Sequence, residues 1–283
     1  MVKILIDILS LTRSSFKSFG ILFVFRVIFW KINKILIKLP MIMALTEDIK
    51  CICYPSSSFG SLVVYTRLPE YWEMNFLLDN LNELSTFIDV GANIGVYTLL
   101  AASKIKKGKI FSFEIDPRAL KNLYENIRLN DLGNRVEVIE KVVSDKNGYE
   151  SFVFSKESEV SHILTDEKEN KNISKIASIK LDDFIDSRKI RFVDFLKIDV
   201  EGAEYKVLKG LSKTLKGKRV GMILFELNSN LTRYGAGSND VFNLLSGFGY
   251  KVYSFLNNGK IRRIKNVEDF PSNKTQNFLA KVS

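Results

Sequence analysis

The sequence predicts an α/β fold with a mostly parallel sheet, and three patterns support this prediction. From residue 87 onward, short apolar runs typical of buried strands alternate with runs of helical spacing. A turn rich in small residues follows the first strand, and an acidic residue ends the second. Strands that alternate with helices pair in parallel, so their carboxyl ends meet at one edge of the sheet. We therefore expect a ligand-binding site at that edge.

Length and composition narrow the class of protein and the kinds of partner that it can have. The chain has 283 residues, of which 46% are hydrophobic and 26% charged, as in folded globular proteins. Its formal net charge of +10 indicates contact with an anionic partner such as nucleic acid, acidic glycan or a membrane surface. Cys51 and Cys53 are the only cysteines and His162 is the only histidine. No Cys/His metal centre is therefore expected, and a reduced, cytoplasmic setting fits.

The chain divides into three segments by composition. Residues 1–45 mix large apolar residues with regularly spaced Lys and Arg, and Asp7 is their only acid. No apolar run reaches the ~20 residues that a transmembrane helix needs, because Arg26 splits the best one. We predict helices that either lie peripherally on the anionic inner face of the cell membrane or cap the main domain. Residues 46–84 are predicted to form a connector or lid, and residues 85–283 the main domain.

Secondary structure follows from the same patterns. In the connector, Ser61–Tyr65 is predicted to be a strand and Tyr71–Leu84 a helix. Residues 155–177 are polar and predict a surface excursion, which carries His162 either as a solvated residue or as a base above the site. The predicted strands of the main domain lie within Phe87–Val90, Lys109–Ile115, Val136–Val143, Tyr149–Phe154, Phe192–Gly202, Val220–Leu227, Tyr250–Leu256 and Phe278–Val282.

The first turn and two acids indicate which ligand binds. The turn is Gly91-Ala-Asn-Ile-Gly95, while Asp89 and Glu114 close the first two strands. An acid in the position of Glu114 can accept both hydroxyls of a ribose. The turn lacks the G-x-G-x-x-G spacing that admits a pyrophosphate, and Asp89 would repel a phosphate but suit an ammonium group. These features favour S-adenosylmethionine over NAD; the competing interpretation is that the glycines serve helix–strand packing alone.

Five motifs resemble, in their order, those of the FkbM-type methyltransferases. They are Thr86–Gly95, Phe113-Glu114, Val143-Ser-Asp145, Leu181–Phe184 and Leu196–Glu204. The resemblance covers about residues 80–283. It implies a class I, S-adenosylmethionine-dependent methyltransferase with a Rossmann-like, mostly parallel, seven-stranded sheet flanked by helices, here with an N-terminal helical extension. Most members of that family are O-methyltransferases of sugars, polyketide-type products and related metabolites.

The resemblance also implies which residues bind the cofactor. It places Glu114 at the ribose and Asp145 beside the adenine. The residues that it places around the methionine moiety are Asp89, Gly91, Ala92, Asn93 and Gly95. One departure is visible, because Ile115-Asp116-Pro117 follows Glu114 where members often have proline directly after the acid.

Methyl transfer to a hydroxyl requires alignment of the reacting atoms and removal of a proton. Asp199 and Glu201 are two residues apart, so an extended segment would place both on one side at the carboxyl edge. We predict that Asp199 is the catalytic base or positions the acceptor, with Glu201 as the second candidate. The competing interpretation is that Glu201 starts the next helix, where its charge suits the helix dipole. Asp199, Glu226 and Asn228 could also converge on Mg²⁺.

The sequence leaves three functions open. The first is O-methylation of a glycan, a lipid-linked sugar or a small hydroxylated metabolite. The second is methylation of nucleic acid, which the net charge suggests. However, the excess bases lie among apolar residues in 1–40 and no Asn/Asp-Pro-Pro-Tyr-type motif occurs, so no nucleic-acid partner is expected. The third is a non-catalytic membrane-surface module that keeps the fold as a scaffold.

Overall fold

A computed structural model describes residues 16–153, 162–163, 173–266 and 275–282. The helices are α1 (Phe16–Ile32), α2 (Ser58–Thr66), α3 (Tyr71–Asn80), α4 (Val96–Lys104), α5 (Pro117–Leu129), α6 (Leu181–Ser187), α7 (Glu204–Lys209), α8 (Ser212–Lys216) and α9 (Ser238–Gly247). A π-helical turn (Asn33–Ile37) follows α1, and a 3₁₀ turn (Ser229–Tyr234) precedes α9.

The strands form three sheets. They are β1 (Met41–Ala44), β2 (Lys50–Cys53), β3 (Thr86–Val90), β4 (Lys109–Phe113), β5 (Val136–Ile139), β6 (Val142–Val143), β7 (Gly148–Val153), β8 (His162–Ile163), β9 (Ile173–Ile179), β10 (Val193–Ile198), β11 (Val220–Leu227), β12 (Tyr250–Phe255), β13 (Ile261–Ile264) and β14 (Gln276–Val282).

The main sheet confirms the predicted fold class. Its described strands run in the order β5-β4-β3-β10-β11-β14-β12-β13. The first five pair in parallel, whereas β14 lies antiparallel between β11 and β12. Seven of these strands match the expected Rossmann-like sheet. The eighth, β13, extends the edge of the sheet and pairs antiparallel with β12.

Burial explains why β3 and β10 lie at the centre of this sheet. Phe87, Ile88 and Val90 of β3 are almost fully buried, as β-branched and aromatic side chains of a central strand should be. The register places Asp89 of β3 beside Lys197 of β10. Two charged residues are thereby brought together in the middle of the sheet, directly below its carboxyl edge.

The N-terminal elements pack into the same core as the sheet. Trp30 of α1 is fully buried in one apolar cluster with Leu99 of α4. The strand predicted at Ser61–Tyr65 is wrong, because α2 occupies these residues. The Ser57 side chain accepts a hydrogen bond from the Gly60 N–H and caps this helix. The segment boundaries predicted at residues 45 and 84 stay predictions.

A second sheet flanks the first, with the order β6-β9-β7-β8. The strand predicted over Val136–Val143 is divided: β5 ends at Ile139, and Val142 and Val143 pair with β9 in the second sheet. This break turns the chain away from the main sheet just beyond its carboxyl edge. In the part of the chain that the structure describes, no helix is long and apolar enough to cross a membrane.

Candidate active site

A cavity of about 380 Å³ opens at the carboxyl ends of β3, β4 and β10. The predicted site residues that line it are Gly91, Ala92, Asn93, Glu114, Asp199 and Glu201. Tyr54, Ser57 and Phe59 of the connector also line it, so the connector borders the cavity. Asp89, Gly95 and Asp145 lie outside the lining.

The glycine turn joins the ends of three strands. The backbone N–H groups of Gly91 and Ala92 donate to the Phe113 carbonyl at the end of β4, at 3.0 and 2.9 Å. The Asp199 N–H donates to the Val90 carbonyl at 2.9 Å. Gly91 has φ +80°, and a Cβ there would lie 1.8 Å from the Asp199 carbonyl oxygen. Glycine is therefore required where β3 passes β10.

Glu114 holds this turn through backbone hydrogen bonds. Its Oε2 accepts from the Asn93 N–H at 2.7 Å, and its Oε1 accepts from the N–H groups of Ile115 and Asp116 at 2.7 and 2.8 Å. Burial raises the pKa of Glu114 above its ordinary value, and these three donors partly offset that effect. A carboxylate has about four acceptor sites, so one remains on Oε2 for a further donor.

Asp89 supports the site from below. Its side chain is fully buried and accepts a 2.7 Å hydrogen bond from the Thr98 hydroxyl. Burial raises the pKa of Asp89, while the Lys197 charge opposes this shift. The structure thus places Asp89 beneath the cavity. Its predicted contact with a ligand ammonium stays a prediction that the lining does not support.

Asp145 lies outside the lining of the cavity, and its carboxylate pairs with the Lys209 ammonium at 3.1 Å. The residues that β6 and β7 contribute to the lining are apolar, namely Val142, Val143 and Phe152, and Lys141 precedes them in the lining. The break between β5 and β6 places Val142 and Val143 in the second sheet, which also contains Phe152. Sequence reasoning missed them because it treated residues 136–143 as one continuous strand.

Lys197 and Asp199 form a partly buried ion pair at the end of β10. The Lys197 ammonium lies 2.9 Å from Asp199 Oδ2, and the side chain of Lys197 is buried. Burial alone would lower the pKa of Lys197, but the carboxylates of Asp199 and Asp89 hold that pKa above its ordinary value. Lys197 is therefore a fixed cation that orients the Asp199 carboxylate.

Glu201 lies in a turn and not in an extended segment, which corrects the expected geometry. Its φ is +54°, a left-handed value that non-glycine residues rarely adopt. Glu204 Oε1 holds the turn by accepting hydrogen bonds from the N–H groups of Val200 and Gly202, at 3.0 and 3.1 Å. Helix α7 begins at Glu204, so Glu201 does not start it. Glu201 nevertheless lines the cavity together with Asp199.

More carboxylates surround this end of the site. Glu70 accepts from the Tyr97 hydroxyl at 2.5 Å and from Asn277 Nδ2 at 2.9 Å. Burial, followed by the Asp199 charge, raises the pKa of Glu226 to about 8. Burial and the Asp199 charge also raise the pKa of Glu201. The site therefore concentrates carboxylates around one fixed cation, an arrangement typical of functional sites.

No metal cluster accompanies these carboxylates in the described ranges, where no group of three or more His, Cys, Asp or Glu side chains could hold an ion. Of the residues considered for Mg²⁺, Asn228 donates from Nδ2 to Glu226 Oε1 at 3.1 Å. The side chain of His162, considered as an alternative base, lies outside what the structure describes.

Glu226→Gln should stabilise the protein at alkaline pH. Because the pKa of Glu226 rises from 4.5 to about 8 on folding, the folded state binds more protons than the unfolded state between these values. Stability therefore falls as pH rises through this window. The amide removes this penalty, so we expect a gain on the order of 2 kcal/mol near pH 9 and almost none near pH 4.5.

Urea unfolding of the wild type and of Glu226→Gln at both pH values measures this difference, with the exposed Glu47→Gln as control. A variant that is destabilised to the same extent at both pH values would contradict the assignment. If Glu226→Gln is more stable than the wild type at alkaline pH, Glu226 does not contribute to stability there, which is typical of a residue with a functional role.

Comparisons with known proteins agree with this geometry. The model of the family described as "Methyltransferase FkbM domain" matches residues 89–252, more than half of the chain. The chain is 26% identical to the hexuronic acid methyltransferase AglP of Haloferax volcanii over 204 residues, which are 72% of this chain and 76% of that protein. It is 29% identical to the 2-O-methyltransferase NoeI of Sinorhizobium fredii over 148 residues, 47% of this chain and 59% of that one.

Among solved structures, a methyltransferase FkbM from Methylobacillus flagellatus is 15% identical with a TM-score of 0.46, and the match covers 79% of this chain and 55% of that chain. The match of the family model includes the glycine turn, Glu114 and the whole Asp199–Glu204 turn. The resemblance inferred from the sequence is thereby confirmed. This chain belongs to the FkbM methyltransferase family.

Proposed function

We propose that the chain is an S-adenosylmethionine-dependent O-methyltransferase that acts on a hydroxyl of a glycan, a lipid-linked sugar or a small metabolite. One observation carries the proposal: the glycine turn and the Lys197–Asp199 pair line the same cavity, and Gly91 lies against the Asp199 backbone. A donor held on the turn would thus lie beside a carboxylate that can serve the acceptor.

The residues present fit this cofactor. Glu114 retains an acceptor site for a ribose hydroxyl, and the apolar side chains of Val142 and Phe152 suit the flat face of an adenine. The glycine turn brings backbone close to the cavity, without the glycine spacing that a pyrophosphate needs. When bound, S-adenosylmethionine supplies an electrophilic methyl group on a sulfonium.

The chain's own residues would orient the acceptor and take its proton. Lys197 fixes the Asp199 carboxylate, which can accept the proton of an acceptor hydroxyl. Glu201, with its raised pKa, offers a second acceptor site in the same wall. This acid–base route needs no metal ion. We therefore expect full activity after exhaustive chelation.

The charge beside Lys197 and Asp199 disfavours a phosphate-rich acceptor. The Asp199 and Glu201 carboxylates outnumber the Lys197 ammonium in this wall of the cavity, so a phosphate-rich acceptor such as nucleic acid would be repelled. The names of two relatives, a hexuronic acid methyltransferase and a 2-O-methyltransferase, support an acceptor related to sugars and methylation at oxygen.

We also propose a reducing compartment, the cytoplasm, for this activity. Cys51 and Cys53 are free and buried in β2. The hydrogen bond with Cys51, followed by burial, raises the pKa of Cys53, so this thiol stays protonated and unreactive.

Labelled methyl transfer tests the function. The protein is incubated with methyl-labelled S-adenosylmethionine and with glycan, lipid and metabolite extracts of its host, and the labelled products are identified by mass spectrometry. We expect label in a hydroxylated product that survives mild alkali, as an ether does and an ester does not. Label confined to RNA, DNA or protein would contradict the proposal.

Glu114→Gln should weaken cofactor binding. The amide nitrogen cannot accept a hydrogen bond, so the variant loses either the hydrogen bond from a backbone N–H of the turn or the one from the ribose hydroxyl. We expect a roughly 10- to 100-fold loss of S-adenosylmethionine affinity, as for a hydrogen bond to a charged group. Calorimetric titration measures it, with the exposed Glu140→Gln as a matched control. Equal affinity in both variants would show that Glu114 only shapes the turn.

A further inference from the structure

An exposed apolar face covers one side of α1 and the π-helical turn after it. We call it the α1 face; its main members are Phe25, Ile28, Phe29, Ile32, Leu36 and Leu39. Phe25 is 62% exposed and Leu36 is 76% exposed. The spacing of three and four residues places the members within α1 on one stripe of the helix, while Val27 and Trp30 on the other side are buried. Exposed apolar stripes of this size mark interaction surfaces.

Charge indicates what this face contacts. Residues 8–46 contain six bases and no acid. The bases whose side chains the structure describes are Arg26, Lys31, Lys34 and Lys38, and the last two are exposed. A second copy of the chain would bring two basic surfaces together, which is unfavourable, whereas anionic lipid headgroups complement them. We propose that the α1 face docks the protein on an anionic membrane surface, with its apolar side chains in the interface.

The placement of α1 links this surface to the active site. Helix α1 packs on α2, and from the π-helical turn that follows α1 Lys34 Nζ donates to the Ser61 hydroxyl of α2 at 3.0 Å. Ser57 and Phe59, at the start of α2, line the cavity. The docked surface and the cavity wall are therefore linked through α2. Of the three acceptor classes this arrangement favours the lipid-linked sugar, a preference that rests on the proposed function, whereas the docking itself does not.

Vesicle sedimentation with the full chain tests the docking and needs neither cofactor nor acceptor. We expect at least about tenfold stronger binding to vesicles that contain phosphatidylglycerol than to pure phosphatidylcholine, and weaker binding at high salt. The double variant Phe25→Ser, Leu36→Ser should lose at least about tenfold in binding, since two anchors leave the interface. The control is Leu84→Ser, because Leu84 is 67% exposed but lies outside the α1 face.

Several results would overturn the proposal. They are absence of binding to anionic vesicles, equal binding to neutral vesicles, and unchanged binding of the double variant. A concentration-dependent dimer that Phe25→Ser, Leu36→Ser abolishes would show that a second copy covers the face. A monomer that binds no vesicles would show that the chain covers the face itself, with residues 1–15 as the segment to examine. These binding results test the docking independently of whether methyl transfer is detected.

Discussion

Gly91→Ala should abolish cofactor binding and destabilise the protein. The added Cβ would lie 1.8 Å from the Asp199 carbonyl oxygen, and φ at this position is +80°. Neither backbone can yield easily, because the Asp199 N–H is bonded to the Val90 carbonyl. We expect a loss of affinity for S-adenosylmethionine of more than about 100-fold and of stability on the order of 3 kcal/mol.

Calorimetric titration and thermal unfolding measure the two effects of this substitution. Gly133→Ala is the matched control, because a Cβ there meets no atom within 4 Å. It should leave both quantities almost unchanged. A folded Gly91→Ala protein with wild-type affinity would show that the turn does not pack against β10 as described.

Asp199→Asn should keep the cofactor but lose the reaction. The amide has the shape of the carboxylate and can still accept from Lys197, but it cannot take a proton from the acceptor. Removal of a general base of this kind lowers kcat by roughly 10²- to 10⁴-fold. We expect that loss, with S-adenosylmethionine affinity within about threefold of wild type because the turn is untouched.

Asp194→Asn provides the control on the same strand. Asp194 lies at the opposite end of β10, where Oδ2 accepts the Thr86 N–H at 2.7 Å. Under conditions in which Asp194→Asn is folded, we expect its kcat to equal that of the wild type. An unchanged rate in Asp199→Asn would instead move the proton acceptor to another residue, with Glu201 the next to test.

The parts of the site that the sequence predicted are local in the chain. The strand, turn and helix around Gly91–Gly95 and the acid Glu114 lie in contiguous segments, so their spacing alone indicates the geometry, whereas the turn at Glu201 was expected to be extended. The sheet order then brings them to one edge. Local spacing is therefore sufficient to predict the fold class and the glycine turn that lines one wall of the cavity.

Elements that depend on distant contacts cannot be predicted in this way. Glu70 and Asn277 meet across 207 residues, and no local pattern predicts the pair. In α2, the β-branched Val63 and Val64 suit a strand as well as a buried helix, and the choice depends on packing. A helix-capping signal is nevertheless present in the sequence, because Ser57 directly precedes α2 and its side chain accepts from the Gly60 N–H.

Titration of the wild-type chain with S-adenosylmethionine and, separately, with NAD tests the central claim most directly. The claim is that the glycine turn and Glu114 hold a methyl donor and not a hydride carrier. It predicts a saturable, one-to-one heat of binding with S-adenosylmethionine and none with NAD. A folded protein that binds NAD, or neither ligand, would contradict it and would favour a different enzyme or a non-catalytic scaffold.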